Sequence, residues 1–402
     1  MNEPLGKRPL AGLKILEMGQ LLAGPFAASV LAGFGAEVIK IEKPVTGDPL
    51  RVWRKMYKGT SLWWLSMGRN KKSITLDVTT LEGQAIVRRL VAKVDIVLEN
   101  FKPGTMEKWG LGYEDLKRIN PKIIMVRVSG WGQTGPYANR PGYANVAEAV
   151  GGMRYTSGYP DRPPVRTGTS IGDTLAALHA VIGALTAVYH RDVNGGAGQV
   201  VDVAIYESVF NMMESTLAEY DKLGHIRERS GAKLEGIVPT STYPTRDAKF
   251  IIIGGNGDSI YKRLMTAAGR ADLANDPRLA NNAGRVEHEK TIDDAITAWT
   301  SQHDYEFLYQ TLLAAEVPCG PVYSIEDIVK DEQYNAREIF ETVEIEPGDT
   351  VKIPAVLPKL SETPGGTDWI GPELGAHNKE IYQNLLDLSE NEIEDLKSRQ
   401  II

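Results

Sequence analysis

The chain has 402 residues, of which 42% are hydrophobic and 24% are charged. This length exceeds what one compact core organises, so two or more domains are expected. The net charge of −7 argues against a nucleic-acid scaffold, which needs a broad basic face. The single cysteine, Cys319, cannot form an internal disulfide and gives no sign of an oxidising compartment.

The N-terminal and apolar segments give no sign of secretion or membrane insertion. Residues 1–8 lack the apolar stretch of a signal peptide. The longest apolar helix is expected at about residues 174–189, which is shorter than the ~20 residues that span a bilayer, and it carries His179. We therefore expect a buried helix there, and a cytoplasmic protein with neither a membrane nor a nucleic-acid partner.

The N-terminal half alternates between strand and helix patterns. Residues 13–18 are predicted as a strand, 19–25 as a glycine turn, 26–34 as a helix and 37–42 as a second strand, which together make a βαβ unit. Further strands are predicted at 73–78, 95–99 and 123–128, with helices at 81–92 and 113–119. This alternation predicts a doubly wound, Rossmann-like α/β large domain.

The remaining chain completes this domain and adds a smaller one. A long helix, a glycine-rich turn, a strand at 199–204 and a helix from 205 to about 222 complete the large domain. An α+β domain is predicted after it, with a strand pair around 246–249, a helix from Ser259 and a Pro-rich exit at 317–323. The tail is predicted to have a short helix, a Pro-rich extended stretch and a polar helix after Ser389. The predicted boundaries are 1–224, 225–325 and 326–402, the last segment returning to the large domain.

A strand followed by glycines and a helix also occurs in dinucleotide-binding loops. Here Gly19 and Gly24 do not give the spacing G-x-G-x-x-G, and Leu21 and Leu22 fill the turn. Glu42 does sit where a ribose-binding acid would fall. Close packing of helix on strand explains the glycines better than nucleotide binding does.

Several blocks along the chain resemble type III CoA-transferases, the family of formyl-CoA and carnitine-type transferases. They span nearly the whole chain in one order: residues 10–16 (LAGLKIL), 23–25 (AGP), 31–42 (LAGFGAEVIKIE), 69–74 (RNKKSI), 99–104 (ENFKPG), 129–136 (SGWGQTGP), 168–173 (GTSIGD), 318–322 (PCGPV) and 374–378 (LGAHN). The resemblance implies an interlocked homodimer, each subunit threaded through the other. It also implies coenzyme A thioesters as substrates, with no permanently bound cofactor.

Asp173 stands at the start of the long apolar helix. From the residues alone, a helix N-cap that accepts backbone N–H bonds is the plainest interpretation. The resemblance implies instead that Asp173 is the catalytic nucleophile, whose charge a helix N-terminus would also stabilise. It would form a mixed anhydride and then an aspartyl-CoA thioester. Backbone N–H groups near Gly172 or in the turn 254–257 are candidate oxyanion donors, a plain strand-to-helix loop being the alternative for that turn.

Seven residues match the CoA-binding blocks of the family. The lysines and amides among them would meet phosphates and ribose, and the two aromatic residues would flank the adenine or the pantetheine. Taken singly, the polar ones are equally ordinary surface residues and the aromatic ones ordinary core residues. The seven are Lys43, Asn70, Lys71, Asn100, Phe101, Lys108 and Trp131. No metal site is predicted.

Departures from the family pattern bear on the reaction. Leu22 stands where formyl-CoA:oxalate members carry a glutamine, and residues 236–255 hold no tetraglycine loop, so formate and oxalate are not expected. Racemases of this fold carry a His-Asp pair where this chain has residues 141–145 (PGYAN). Tyr143, in this segment, is a candidate substrate-binding residue. It is a poor base for racemisation because the ordinary pKa of tyrosine is about 10.

The closest resemblance is to dicarboxylate members, of the succinyl-CoA:citramalate, malate and glutarate types. Arg166 is a candidate partner for a second carboxylate, a structural salt bridge being the alternative. The expected function is CoA transfer from an acyl-CoA to a dicarboxylic acid, with succinyl-CoA as the donor that this family branch implies. Two alternatives are an isomerase of the same fold, by racemisation or intramolecular CoA transfer, and a non-catalytic CoA-binding module. Asp173 argues against the last, and the missing His-Asp pair argues against racemisation.

Overall fold

The computed structural model describes residues 8–402, so most of the segment in which no signal peptide is predicted lies outside the described residues. The chain forms two compact units. The first comprises the chain up to Met153, Thr167–Glu214 and Ala336–Ile402, and the second comprises Arg154–Arg166 and Ser215–Asn335. These boundaries differ from the predicted 224/225 and 325/326. Residues 154–166 group with the second unit because Gly231 donates its backbone N–H to the carbonyl of Gly158.

A six-stranded parallel sheet forms the centre of the first unit, as predicted. Its strands are β1 (Lys14–Glu17), β2 (Glu37–Glu42), β3 (Lys71–Thr75), β4 (Ile96–Glu99), β5 (Ile124–Ser129) and β6 (Val200–Ala204). Their order is β3-β2-β1-β4-β5-β6, and every neighbouring pair is parallel. In doubly wound folds with this order, ligands bind at the carboxyl ends of the strands where the order reverses, here between β1 and β4.

Helices cover both faces of this sheet, which explains why its strands are apolar along most of their length. One face packs against Leu81–Val91, Tyr113–Ile119 and the end of the chain. The other packs against α1 (Ala23–Gly33), α2 (Ala144–Val150) and α3 (Ile171–Asp192). The first unit also contains the 3₁₀ turn Pro49–Val52, the hairpin Met56–Tyr57/Thr60–Ser61 and the helices Leu62–Met67, Thr105–Lys108, Ile205–Phe210 and Glu390–Ser398.

Helix α3 is longer than the sequence suggests. It has 22 residues and, among the helices of residues 8–402, it alone is long and apolar enough to cross a membrane by length and composition. The prediction that it is too short was therefore wrong. Small side chains let it pack closely against α1 and the sheet, through the buried residues Ala176, Ala180, Ala184 and Ala187. The helix predicted to be buried is thus buried on this side only, since Leu178, Ile182 and Tyr189 on another side are exposed.

The C-terminal segment closes the edge of the sheet at β3. His377 donates its backbone N–H to Ser73 O (3.0 Å), and its Nδ1 accepts from Ser73 N (3.1 Å). Asn378 Oδ1 accepts from Thr75 N (2.9 Å), and the Tyr382 hydroxyl donates to Thr75 O (2.5 Å). An exposed strand edge is a template for unwanted pairing. Here side chains about 300 residues away in sequence satisfy its backbone groups.

The second unit packs helices on a small antiparallel sheet. The strands are β7 (Thr240–Pro244), β8 (Phe250–Gly254) and β9 (Cys319–Pro321), with β8 in the middle. The β7–β8 pair confirms the strand pair predicted around 246–249. Its helices and turns are Thr216–Leu223, Asp258–Ala267, Ala271–Ala274, Pro277–Leu279, Asn282–Glu287, Glu289–Thr300, Tyr305–Ala314 and Ile325–Lys330, and Glu332–Ala336 crosses into the first unit.

One local prediction was wrong, and two elements were missed. The helix expected from 205 to about 222 is broken into Ile205–Phe210 and Thr216–Leu223, and Glu214 between them has φ = 52°. The tail also holds a hairpin of β10 (Phe340–Glu346) and β11 (Asp349–Pro354) before its Pro-rich stretch, and a π-helical turn, Glu380–Leu385, after it. The polar helix after Ser389 is confirmed, and Ser389 caps it.

Candidate active site

Side chains hold every part of the turn after β1, at the point where the strand order reverses. Asn100 accepts from Gln20 N (2.7 Å) and donates to Gln20 O (2.8 Å). Lys40 donates to Gly19 O (2.9 Å), and Asp48 accepts from Leu21 N (3.2 Å). Leu21 has φ = 63°, a left-handed conformation that is uncommon outside glycine and asparagine. Such strain persists only where the surroundings impose it, and it is found preferentially at functional sites.

A buried cluster of charges lies beneath this turn. Lys40 Nζ is 2.8 Å from Glu17 and 2.9 Å from Asp48, and Lys71 Nζ is 2.8 Å from the other oxygen of Glu17. Lys71 also donates to Pro25 O at 2.7 Å. Both lysine side chains are fully buried. Burial and the charge of Lys40 lower the pKa of Lys71 to about 8, although Glu17 opposes this.

Glu42 belongs to the same cluster and is not free to bind a ribose. It accepts from Arg51 Nε (2.7 Å), the Ser73 hydroxyl (2.6 Å) and Asp48 N (3.0 Å). Burial opposes its ionisation, but the bonds from Arg51 and the charge of Lys40 lower its pKa overall. A Cβ on Gly24 would come within 2.9 Å of Leu98, so this glycine permits the close packing that the sequence suggested.

Two of the predicted CoA-binding residues, Lys71 and Asn70, are buried and bonded within the protein, which corrects their assignment. Lys71 is enclosed with Glu17, as described above. Asn70 is 4% exposed, donates to Gly366 O (2.8 Å) and accepts from Asp368 N (2.7 Å). Its amide therefore ties β3 to the C-terminal segment. Neither side chain has polar atoms left on the surface for a phosphate.

The other predicted CoA-binding residues are spread around the carboxyl edge. Lys43 and Lys108 are exposed, and Asn100 holds the turn after β1. Phe101 is partly buried against Trp109, with ring centroids 5.2 Å apart. Trp131 is 8% exposed and donates to Pro141 O at 3.3 Å. The two aromatic side chains thus pack within the protein, whereas the two lysines stay available to an anion.

An ion triad that the sequence did not suggest supports the Asn100 loop. Glu99 Oε2 accepts from Phe101 N (2.6 Å), and its other oxygen pairs with Arg127 Nε (2.7 Å). Arg127 also binds Glu107 at 2.6 Å. Burial raises the pKa of Glu99 to about 7 against the effect of Arg127. The sequence does contain a signal for this triad, because Glu99 ends an otherwise apolar strand. Within residues 8–402, no group of three or more His, Cys, Asp or Glu side chains is arranged to hold a metal.

One interpretation of the sequence made Asp173 the N-cap of α3. That interpretation was wrong, because Asp173 is the third residue of the helix. Ser170 is the N-cap, and its side chain makes no capping bond. Gly172 N donates to Glu148 Oε1 at 3.2 Å. That N–H is therefore already engaged and is not a free oxyanion donor, which corrects the expectation for Gly172. Asp173 itself is partly buried in the first turn of the helix.

The two ends of α3 show which edge of the sheet Asp173 occupies. At its last turn, Arg191 pairs with Asp95 (3.1 Å), just before β4. At its first turn, a Cβ on Gly172 would lie 3.3 Å from Ile205, just after β6. Since α1 begins directly after the turn 19–22 and packs against α3, that turn and Asp173 lie at the same carboxyl edge and on the same face.

The two predicted substrate residues lie in different units. Tyr143 precedes α2 in the first unit and is 74% exposed. Arg166 is the last residue of the segment Arg154–Arg166 of the second unit and is exposed. That Arg166 binds a substrate that reacts at Asp173 stays a prediction.

Comparisons with known proteins find matches along nearly the whole chain. The model of CoA-transferase family III matches residues 10–378. The chain is 49% identical to a succinyl-CoA–D-citramalate CoA-transferase of Chloroflexus aurantiacus over 100% of both chains. It is 42% identical to the alpha subunit of a succinyl-CoA–L-malate CoA-transferase of that organism, over 98% of this chain and 92% of the other. A crystal structure of a CAIB/BAIF family protein from Brucella suis has a TM-score of 0.83 and 34% identity, over 94% of this chain and 100% of the other. The chain belongs to CoA-transferase family III and is a CoA-transferase.

Proposed function

We propose that this cytoplasmic enzyme moves CoA from succinyl-CoA to a dicarboxylic acid of four to six carbons, or a hydroxylated or unsaturated relative, through covalent intermediates on Asp173. The observation that carries the proposal is the carboxylate of Asp173 in the first turn of a 22-residue helix, at the ligand-binding edge of the sheet. Relatives that match the full chain and are named for succinyl-CoA support the donor.

The proposed chemistry alternates between an anhydride and a thioester. The Asp173 carboxylate attacks the donor thioester carbonyl and expels CoA thiolate, which leaves a mixed anhydride. The thiolate attacks the aspartyl carbonyl, releases succinate and leaves an aspartyl-CoA thioester. The acceptor carboxylate attacks that thioester and expels the thiolate, forming a second anhydride. The thiolate then attacks the acceptor carbonyl, which yields the product acyl-CoA and restores Asp173.

The first turn of α3 suits a nucleophile that must remain ionised. The helix dipole and the backbone N–H groups of a helix start stabilise a carboxylate at this position. Lys43 and Lys108, exposed at the same edge, would bind the phosphates of CoA, and Asn100 would hold the turn against which the acyl group lies. Each transfer step moves negative charge between oxygen and sulfur next to fixed dipoles, which need no reorganisation.

The proposed substrate class predicts the outcome of a competition among acids. With succinyl-CoA as donor, we expect acyl-CoA products from four- to six-carbon dicarboxylates at least about tenfold faster than from acetate or butyrate, because a site charge pairs the second carboxylate. Mass spectrometry of the CoA products identifies each acceptor. A preference for monocarboxylates would overturn the dicarboxylate assignment while leaving CoA transfer itself intact.

Arg166 is proposed as the partner of that second carboxylate. Arg166 is exposed in this structure, and a hydrogen bond to a charged group is worth about 1.5–3 kcal/mol, so Arg166→Met should lower kcat/KM for dicarboxylates by about tenfold or more, with little effect on monocarboxylates of equal length. Arg162→Met is the matched control, because Arg162 is an exposed arginine in the same segment, 5.5 Å from the Tyr159 ring. Equal losses for both classes of acid would assign Arg166 a structural role.

The enzyme is also proposed to be an interlocked homodimer, as the family resemblance implies. One side of α3 supports this, since it carries exposed apolar side chains at helical spacing: Leu178, Ile182, Leu185 and Tyr189. Such a stripe is normally covered by another surface. We expect light scattering to give the mass of two chains, without dissociation on dilution to micromolar protein. A monomer mass at that concentration would contradict the proposal.

A further inference from the structure

A second carboxylate lies directly beside the first turn of α3. Glu148, on α2, is 3% exposed, although acidic side chains are rarely buried without a specific role. Its Oε1 accepts from the backbone N–H of Gly172 at 3.2 Å. This N–H is one of the groups that a helix start leaves without an intrahelical partner. The N-cap residue, Ser170, makes no side-chain capping bond, so α2 supplies the acceptor from outside the helix.

The packing around Gly172 is close on two sides. A Cβ on Gly172 would lie 3.0 Å from Glu148 Cγ and 3.3 Å from both Glu148 Oε1 and Ile205 Cγ2. Gly172 therefore lets the glutamate approach the helix start closely. The glutamate, Gly172 and Ile205 together fix where the first turn begins, and the next residue along that turn is Asp173.

We propose that Glu148 is a positioning residue for the nucleophile: it binds the backbone N–H that precedes Asp173 and holds the first turn of α3 in the orientation that covalent catalysis requires. This inference rests on the proposed role of Asp173. Glu148 acts through the backbone and takes no part in bond making. An anhydride requires the carboxylate to approach the thioester carbonyl along a narrow path, and a misplacement of 1 Å can cost about a hundredfold in rate.

The proposal makes different predictions for two substitutions. In Glu148→Gln the amide oxygen still accepts the Gly172 N–H, so kcat should stay within about threefold of wild type. In Glu148→Ala the N–H loses its acceptor and a cavity forms beside it, so kcat should fall about tenfold or more while KM for succinyl-CoA changes less than about twofold. Glu114→Ala, an exposed acid in the first turn of Tyr113–Ile119, is the control and should behave as wild type.

The decisive measurement is the rate at which succinyl-CoA converts the enzyme to its covalent CoA adduct, followed by rapid quenching and intact mass. We expect that rate to fall in Glu148→Ala in step with kcat and to be kept in Glu148→Gln. A Glu148→Ala enzyme with wild-type adduct formation per folded molecule would overturn the positioning role, as would a Glu148→Gln enzyme as slow as the alanine variant. Should Glu148→Ala not fold, the glutamine variant and Gly172→Ala, which crowds the same contact, decide between these outcomes.

Asp173→Asn, measured alongside, separates this inference from the proposed function. An asparagine variant that still forms the adduct would refute the role of Asp173, whatever the Glu148 variants do. An inactive asparagine variant combined with a normal Glu148→Ala enzyme would refute only the positioning role.

Discussion

Asp173→Asn is expected to reduce CoA transfer to below about 1% of wild type while the protein stays folded. The asparagine keeps the size of the side chain and one oxygen for the helix start, but its amide cannot act as the nucleophile that forms an anhydride. Loss of the carboxylate charge near the helix N-terminus should cost only about 0.3–1 kcal/mol of stability. Turnover, measured as acyl-CoA product, and the melting temperature test the two parts of this expectation.

The same variant distinguishes the two roles that the sequence left open for Asp173. A residue that only stabilises the helix start would be replaced well by asparagine, because both side chains accept backbone N–H bonds there. In wild type, succinyl-CoA should add the mass of CoA less water to the protein, and peptide mapping should locate the adduct at Asp173. Activity above a few per cent in Asp173→Asn, with contaminating enzyme excluded, would remove Asp173 from the mechanism.

Alternation of apolar runs and turn residues predicted most of the central sheet. β2 and the helix Tyr113–Ile119 have the predicted bounds, because turn residues mark their ends. The break after Phe210 was not predictable, since residues 211–215 contain neither glycine nor proline. The positive φ of Glu214 in that break is a backbone conformation that residue-by-residue propensities do not anticipate.

The sequence-based predictions misjudged residues whose role depends on the face of a strand. Lys71 and Lys72 are adjacent in one motif, yet side chains alternate across a strand. Lys71 faces the buried cluster, whereas Lys72 is partly exposed and pairs with Glu37. A signal was available elsewhere, because Glu17 and Lys40 each interrupt an apolar strand. A charge within a buried strand needs a charged partner. Glu148 gave no comparable signal, because a glutamate in a short helix is ordinarily exposed.

Lys40→Met is expected to lower the free energy of unfolding by about 3–5 kcal/mol, since removing one partner of a buried ion pair leaves uncompensated charge. Lys40 binds Glu17 at 2.8 Å and Asp48 at 2.9 Å, and all three side chains are almost fully buried. It also holds Gly19 O at 2.9 Å. The turn after β1 should therefore loosen as well, and kcat should fall in the fraction of enzyme that remains folded.

Lys72→Met is the matched control, one strand away. Lys72 pairs with Glu37 and Glu380 at 2.7 Å but is 21% exposed, so its loss should cost no more than about 1 kcal/mol.

Burial alone would lower the pKa of Lys40, but Glu17 and Asp48 outweigh it and raise that pKa. A raised pKa keeps its stabilisation intact below the unfolded value of about 10.4, and the stabilisation is lost only as pH rises through the folded value. Chemical denaturation should therefore show a constant deficit for Lys40→Met from about pH 6 to 7, below the pKa of about 8 of the neighbouring Lys71. Equal stabilities for Lys40→Met and Lys72→Met would mean that the buried cluster does not hold the turn.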